Sequence, residues 1–147
     1  MYTSDFVRAI NEIYHDVEAQ YYERWHPEIF VHEATRWQKH LKPLFSRREK
    51  SWSILDIGSG TGFVAKELIP FLNANDSFTC VDLSEEMLNI CKKNIAGAKP
   101  LCQFRFLKTE GKNFPFDSES FDLISMNSLL HHIPDLNEFF KEIDRLF

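Results

Sequence analysis

The chain has 147 residues, of which 44% are hydrophobic and 27% charged, and its formal net charge is −5. This length suits one folded domain, and the hydrophobic content excludes a disordered chain. The acidic balance argues against nucleic acid or an anionic membrane surface as the main partner, and no apolar run approaches the ~20 residues of a membrane span.

Two amphipathic helices are predicted in the first 50 residues, because apolar side chains recur there at three- and four-residue spacing. Ser4 or Asp5 is the candidate cap of the first helix, which breaks at Pro27, and Pro43 closes the second helix. The expected buried face of the first helix comprises Phe6, Ile10, Ile13, Val17, Tyr21 and Trp25. That of the second comprises Phe30, Ala34, Trp37, Leu41 and Leu44.

A charged run at 46–51 is predicted to be a solvated linker, after which strands and helices alternate. The predicted strands are 53–57, 77–81, 103–107 and 121–126. The predicted helices are 63–72, a segment between the cap Ser84 and Gly97, and a segment after the cap Asp135. Alternation at this spacing predicts parallel strands with right-handed crossovers, and therefore an open α/β sheet.

The first predicted strand runs into a glycine-rich turn with the sequence G-S-G-T-G. Three of the five glycines in the chain, Gly58, Gly60 and Gly62, lie in this turn. Glycine is required where the backbone visits positive φ and where a ligand approaches the bare backbone. An ordinary tight turn is the alternative, but the clustering of glycines in a glycine-poor chain favours a ligand site.

Asp82 lies at the end of the second predicted strand, 20 residues after Gly62. An acid there accepts hydrogen bonds from the ribose hydroxyls of an adenine nucleoside, although helix capping is the alternative. Phe63 stands where a dinucleotide-binding G-x-G-x-x-G turn has its last glycine. Asp56, two residues before Gly58, would repel a pyrophosphate but suits a ligand with a cationic amino-acid end. The expected site lies at the carboxyl ends of the strands.

The D-I-G-S-G-T-G segment at 56–62 resembles the first motif of class I S-adenosylmethionine-dependent methyltransferases. Three later segments resemble further motifs of that family in the same order: V-D-L-S-E-E-M-L at 81–88, E-G followed by F-P-F at 110–116, and F-D-L-I-S-M-N-S-L-L-H-H-I-P-D at 121–135. The set is similar to the small-molecule branch, which includes the ubiquinone- and menaquinone-biosynthesis-type enzymes. The resemblance covers residues 52–147 and implies a Rossmann-like sheet with strand order 3-2-1-4.

The resemblance implies S-adenosyl-L-methionine as cofactor and a small-molecule methyl acceptor. It implies that Asp82 holds the ribose, that Glu110 lies at the adenine amine and that Asn127 lies near the methionine end. The full set of implied cofactor-binding residues is Asp56, Gly58, Ser59, Gly60, Thr61, Gly62, Asp82, Leu83, Met87, Glu110, Gly111 and Asn127. His131 and His132 follow on the loop that faces the acceptor and are candidate general bases, with loop capping or packing under the sheet as the alternative.

Two other functions remain open at this point. A catalytically silent module would bind the nucleoside or a partner chain without turnover, and a nicotinamide-dependent oxidoreductase is disfavoured by the glycine spacing and by Asp56. The remaining histidines lie on helix faces or breaks without zinc-ligand spacing, so no metal site is expected: His15, His26, His32 and His40. In the leading helices, most aromatic rings are expected in the core, and either Tyr21 or Tyr22 is expected to line the cleft.

Cysteine content and the start of the chain predict a cytoplasmic location. The chain has three cysteines, an odd number, and they include no C-x-x-C pair. They fall in or beside apolar stretches, at Cys80, Cys91 and Cys102. That pattern is typical of buried reduced thiols rather than of disulfides or metal ligands. The first five residues are polar and lack the basic and apolar regions of a secretion signal.

The motif map divides the chain into a helical cap or lid at 1–50 and a cofactor-binding domain at 51–147. Members of the resembled family usually continue through three more strands, so the domain is expected to be incomplete at its C-terminal side. The strand at 121–126 would then be an exposed hydrophobic edge. We expect a second copy of the chain or another partner to cover that edge.

Overall fold

A computed structural model describes residues 3–147. Its α-helices are α1 (Ser4–Glu18), α2 (Tyr22–Trp25), α3 (Ala34–Ser46), α4 (Phe63–Leu68), α5 (Glu85–Ala98) and α6 (Leu136–Leu146). Its strands are β1 (Ser53–Ile57), β2 (Ser77–Asp82), β3 (Gln103–Lys108) and β4 (Leu123–Met126). A π-helical segment (Ile29–Glu33) precedes α3, and short 3-10 turns follow α4 (Ile69–Phe71) and β4 (Leu130–His132).

The four strands form one parallel sheet in the order β3-β2-β1-β4, which confirms the predicted fold class and strand order. Hydrophobic clusters cover both faces of this sheet, one beneath α3, α4 and α5 and the other beneath α6. Ile57 of β1 pairs with Val81 of β2 and with Met126 of β4, so these three strands end at the same level. The residues that follow them are therefore brought together at one edge of the sheet.

The structure corrects three predicted element boundaries. Thr3, rather than Ser4 or Asp5, caps α1 by accepting a hydrogen bond from a backbone N–H. Pro43 lies inside α3, and the buried Phe45 in the following turn favours continuation of the helix past it. Gly97 does not end α5, because the left-handed residue that closes this helix is Lys99, with φ of 51°.

The apolar face of α1 is turned away from the sheet, so the prediction that it is buried was wrong. Ile13 is 62% exposed and Val17 is 68% exposed, whereas fully packed side chains would be almost inaccessible. Further large apolar side chains of this segment that are exposed are Phe6, Ile10, Tyr14, Tyr21 and Trp25. Periodicity located the helix correctly but did not determine which of its faces meets the sheet.

Polar contacts hold α1 against the carboxyl edge of the sheet. Asp16 accepts a hydrogen bond from the Ser84 hydroxyl at 2.5 Å, and Glu12 pairs with Lys108 at 2.5 Å. Ser84 also caps α5 by accepting from a backbone N–H, as predicted. Since the strand ends and the α5 N-terminus present polar groups, they select the polar face of α1.

Arg48 anchors the segment between the helices and the sheet. The other residues of the predicted solvated linker at 46–51 are exposed, so the prediction fails at Arg48 alone. Its Nη1 lies 2.8 Å from both carboxylate oxygens of Asp76, and Nη2 donates to the carbonyl of Phe71 at 2.8 Å. Only 10% of the Arg48 side chain and none of the Asp76 side chain is exposed. Burial by itself would raise the pKa of Asp76, but hydrogen bonds from Asn73, Trp52 and Arg48 outweigh it and lower that pKa.

Cys80, Cys91 and Cys102 are free and buried, as predicted. Within residues 3–147, no helix is long and apolar enough to cross a membrane. The same part of the chain contains no group of three histidine, cysteine or acidic side chains placed to hold a metal ion.

Candidate functional site

A cavity of about 730 Å³ lies at the carboxyl edge of the sheet, between the strand ends and the leading helices. Its size falls within the range of small-molecule and cofactor sites, about 300–1,000 Å³. Ten of the predicted site residues line it: Gly58, Gly60, Asp82, Leu83, Met87, Glu110, Gly111, Asn127, His131 and His132. The topology therefore brings segments that are distant in sequence to one site.

The other predicted site residues lie beside or beneath this cavity. Ser59 and Thr61 line an adjoining pocket of only about 30 Å³. Asp56 is buried in β1, and Gly62 lies against α5, where a β-carbon would stand 2.8 Å from Sγ of Cys91. These four residues do not line the large cavity, and they support the glycine turn from its opposite side.

The glycine turn adopts the backbone conformation that its sequence predicts. Gly58, Gly60 and Gly62 have φ values of 68°, 52° and 92°, a region that favours glycine. At Gly58 a β-carbon would lie 2.8 Å from Cδ1 of Leu129, whereas at Gly60 it would meet no atom within 4 Å. The bare backbone of Gly60 therefore faces open space in the cavity, as close approach of a ligand requires.

Asp82 ties the end of β2 to the glycine turn. Its Oδ2 accepts a hydrogen bond from the backbone N–H of Gly60 at 2.8 Å, and Oδ1 accepts from that of Ser84 at 2.9 Å. Burial raises the pKa of Asp82, and these backbone hydrogen bonds together with nearby His15 offset part of that rise. Each carboxylate oxygen has a second lone pair, so Asp82 can accept further hydrogen bonds from a ligand.

Asp56 is buried beneath the turn, with 1% of the residue exposed. Its Oδ1 accepts a hydrogen bond from the Ser125 hydroxyl at 2.8 Å. Within residues 3–147, Oδ2 of Asp56 and the hydroxyls of Ser59 and Thr61 have no hydrogen-bond partner. Burial raises the pKa of Asp56 from 3.8 to about 7. Unsatisfied buried oxygens at this place favour a cation or a bound water in the adjoining space.

The raised pKa of Asp56 predicts a distinctive pH dependence of stability. The folded state retains a proton on Asp56 that the unfolded state loses, so the contribution of this group is most favourable below pH 4 and is lost as pH rises toward 7. Between pH 5 and pH 7 the free energy of unfolding of the wild type should fall by about 2 kcal/mol relative to that of Asp56→Asn. Urea denaturation at both pH values measures this, and parallel pH profiles would contradict it.

A cluster of polar side chains from the leading helices forms the opposite wall, and sequence reasoning missed it. The carboxylate of Glu18 lies 3.1 Å from Nδ1 of His15 and 2.8 Å from Nε2 of His26, and it accepts from the Tyr14 hydroxyl at 3.3 Å. The i, i+3 spacing of His15 and Glu18 on the polar face of α1 was the available signal. Tyr22 lines the cavity while Tyr21 is exposed, so one of the two does face the cleft, as predicted.

The loop after β4 brings two imidazole rings to the cavity. The ring centroids of His131 and His132 are 3.9 Å apart, and that of His132 is 4.9 Å from the centroid of His15. Burial lowers the pKa of His132 to about 4, with the neighbouring rings of His131 and His15 adding to the effect. On the same side, Oδ1 of Asn127 accepts a hydrogen bond from the Trp37 indole at 3.3 Å.

Residues 54–147 match the model of a protein family described as a methyltransferase domain. The chain belongs to this family. The matched segment contains the glycine turn, Asp82, Glu110 and the loop after β4, which are the elements that form one side of the cavity.

Curated relatives of this methyltransferase domain include two ubiquinone/menaquinone biosynthesis C-methyltransferases UbiE. That of Rickettsia typhi is 32% identical over 97 residues, 64% of this chain and 39% of the relative. That of Rhizobium rhizogenes is 24% identical over 138 residues, 93% of this chain and 53% of the relative. They confirm the resemblance to the ubiquinone- and menaquinone-biosynthesis type, and the chain spans about half or less of their length.

Solved methyltransferases share the fold of the chain. A SAM-dependent methyltransferase from Aquifex aeolicus aligns with 99% of this chain and 68% of its own, at a TM-score of 0.61 and 21% identity. Phosphoethanolamine N-methyltransferase 2 of Haemonchus contortus, solved with S-adenosyl-L-methionine, aligns with 76% of this chain and 25% of its own, at a TM-score of 0.63 and 22% identity.

The residues around the cavity fit S-adenosyl-L-methionine, the cofactor of this family. The bare backbone at Gly60 leaves room for a nucleoside at the turn, and Asp82 beside it has lone pairs for ribose hydroxyls. The unpartnered Oδ2 of Asp56 is buried beneath the turn, so it suits the cationic amino-acid end of the cofactor through a bound water.

Proposed function

We propose that this chain binds S-adenosyl-L-methionine and transfers its methyl group to a small-molecule acceptor. The observation that carries the proposal is the hydrogen bond from Gly60 to Asp82, which joins the two elements of a nucleoside site at the edge of the 730 Å³ cavity. When bound, the cofactor supplies an electrophilic methyl group and its own leaving group. The protein then has to hold the reactants in line and exclude water.

The proposed cofactor site follows the strand ends. Asp82 accepts hydrogen bonds from the ribose hydroxyls. Glu110 and Gly111 lie at the adenine amine. Leu83 and Met87 lie against the adenine ring. Gly58 and Gly60 provide bare backbone under the cofactor, and Asn127 lies near its methionine end. Asp56, Ser59, Thr61 and Gly62 complete the site from below, where they fix the turn and leave buried oxygens for the amino-acid end.

The proposed acceptor site lies between the loop after β4 and the leading helices. His131 and His132 contact the acceptor from the β4 side. With its pKa lowered to about 4, His132 is neutral at neutral pH and acts there as a hydrogen-bond partner rather than as a strong base.

The proposed organisation is a helical cap at 1–50, of which residues 1 and 2 lie outside the described part, on a cofactor-binding domain at 51–147. The cap supplies the second wall of the cavity. Within the described residues, β4 pairs with β1 alone, so its outer edge is available to a second copy or another partner. Buried free thiols support a reducing, cytoplasmic location.

Ligand-induced thermal stabilisation tests the proposed function. S-adenosylhomocysteine at about 100 times its dissociation constant should stabilise the fold by about 2.7 kcal/mol, which raises the melting temperature by roughly 5 °C or more. NAD at the same concentration should produce no shift in melting temperature. A dinucleotide-binding turn has the pattern G-x-G-x-x-G, and here Phe63 stands at the position of its last glycine. Absence of a shift with millimolar S-adenosylhomocysteine would contradict the proposal, and a shift with NAD alone would favour an oxidoreductase.

A catalytically silent module that binds the cofactor is the second candidate. It predicts the same thermal shift without turnover. Release of S-adenosylhomocysteine from the cofactor in the presence of an acceptor panel distinguishes the two functions.

A further inference from the structure

The polar cluster centred on Glu18 supplies none of the proposed contacts to the cofactor and is nevertheless built into the cavity wall. Only 3% of the Glu18 side chain is exposed. Both of its carboxylate oxygens have imidazole partners, His26 on Oε1 and His15 on Oε2. A buried carboxylate with satisfied oxygens fixes the orientation of its partners.

The hydrogen bonds determine where the protons of this cluster lie. A carboxylate only accepts hydrogen bonds, so each ring nitrogen that faces one carries a proton. His26 faces Glu18 through Nε2 at 2.8 Å and Glu28 through Nδ1 at 3.3 Å, so both of its nitrogens are protonated. In agreement, the hydrogen bond that His26 donates to Glu18 raises the pKa of His26, against a smaller lowering by burial. His26 is therefore the cation that balances Glu18.

His15 has a different arrangement. Its Nδ1 lies 3.1 Å from Oε2 of Glu18, whereas its Nε2 has no hydrogen-bond partner within residues 3–147. The His15 ring lines the cavity and contacts the ring of His132. The other titratable groups around it are Tyr14 on the same helix and Asp82 at the end of β2. An imidazole held in this way by a carboxylate is the usual form of a general base.

We propose that His15 is the general base for the methyl acceptor, that Glu18 is its positioning residue, and that the acceptor carries a phenolic or enolic hydroxyl. This inference rests on the proposed methyl transfer. The acceptor hydroxyl gives its proton to Nε2 of His15, and its freed electron pair forms the new bond to the methyl carbon. The bond between that carbon and sulfur breaks, with its electron pair remaining on sulfur. Glu18 stabilises the imidazolium that forms.

The surroundings of His15 favour a weakly acidic hydroxyl over an aliphatic alcohol or an ammonium group. A neutral imidazole removes protons efficiently only from groups with a pKa near its own range. Flat rings from Tyr14, Tyr22 and His132 line this part of the cavity, as suits a ring-shaped or conjugated acceptor.

The test uses the whole chain saturated with S-adenosylhomocysteine and 4-nitrophenol as the probe, because the ionised probe absorbs visible light. The variants are His15→Asn, which keeps an N–H in place of Nδ1 but has no basic ring nitrogen, and Glu18→Gln. His40→Asn and Glu49→Gln are matched controls, since both residues are exposed. ¹⁵N NMR of labelled histidines reports which nitrogen of His15 carries the proton.

We expect the ionised-to-protonated ratio of the probe to rise at least about tenfold on binding to the wild type. His15→Asn should abolish that rise and Glu18→Gln should reduce it, while both controls match the wild type. The rate of methyl transfer to a phenol should fall about 10²–10⁴-fold in His15→Asn. In the wild-type NMR spectrum, the proton of neutral His15 should be on Nδ1.

The contrary outcomes separate the two proposals. If S-adenosylhomocysteine does not bind the wild type, the proposed function fails and this inference with it. If it binds but the probe ionises equally in wild type and His15→Asn, or the NMR proton of His15 is on Nε2, only the base assignment is overturned. Failure of the probe to bind at millimolar concentration overturns the hydroxyl class. The NMR measurement uses the wild type, so it tests the base assignment even if a variant does not fold.

Discussion

Replacement of Asp82 by alanine should lower the affinity for S-adenosylhomocysteine at least about 100-fold, because the two proposed charge-assisted hydrogen bonds to the ribose, each worth about 1.5–3 kcal/mol, would be lost together. The variant also loses the acceptor of the Gly60 N–H, so the turn is held less firmly. Isothermal titration calorimetry of the purified chain measures the affinity.

Asp144→Ala is the matched control for that experiment. Asp144 is exposed on α6, away from the cavity, and its removal should leave the affinity unchanged. Circular dichroism establishes that Asp82→Ala is folded before it is titrated. Wild-type affinity in a folded Asp82→Ala variant would contradict both the role of Asp82 and the proposed orientation of the cofactor.

Replacement of Arg48 by methionine should destabilise the fold by about 3–5 kcal/mol, a large share of the roughly 5–15 kcal/mol that stabilises a domain. The change leaves Asp76 as a fully buried carboxylate without its cationic partner. Because methionine keeps an apolar stem near the rings of Phe45 and Trp52, most of the loss reflects the missing charge. Urea denaturation at pH 7 measures the difference.

The pH dependence of the Arg48→Met effect provides a second check. The lowered pKa of Asp76 means that the stability it contributes is present above its ordinary pKa and is lost as pH falls through the lowered value. The gap between wild type and Arg48→Met should therefore narrow below pH 4. Arg47→Met, at the exposed neighbouring position, should match the wild type within about 0.5 kcal/mol. A double variant with Asp76→Asn should recover part of the loss.

The fold and one side of the site followed from local sequence features. Strand and helix alternation after Trp52 sufficed for a parallel sheet, and the glycine turn needed positive φ at Gly58, Gly60 and Gly62. Asp82 was found from its spacing alone, because a strand of fixed length delivers it to the same edge as the turn. Local rules of this kind hold wherever a single segment determines its own conformation.

The second wall of the cavity could not be derived in the same way. Amphipathic spacing located α1, but the prediction that its apolar face is buried was wrong. Polar groups of Ser84 and Lys108 contact the polar face of α1, which therefore faces the sheet. Arg48 was assigned to a solvated linker, although Asp76, 28 residues later, buries it in an ion pair.

The sequence by itself determined the parallel sheet, the glycine turn, Asp82 and the family. Only the tertiary structure decided that Glu18, His15 and His26 meet at the cavity. The reason is that the pairing of polar groups from distant segments depends on which surfaces pack together. A pattern within one helix carries no information about the surface it will meet.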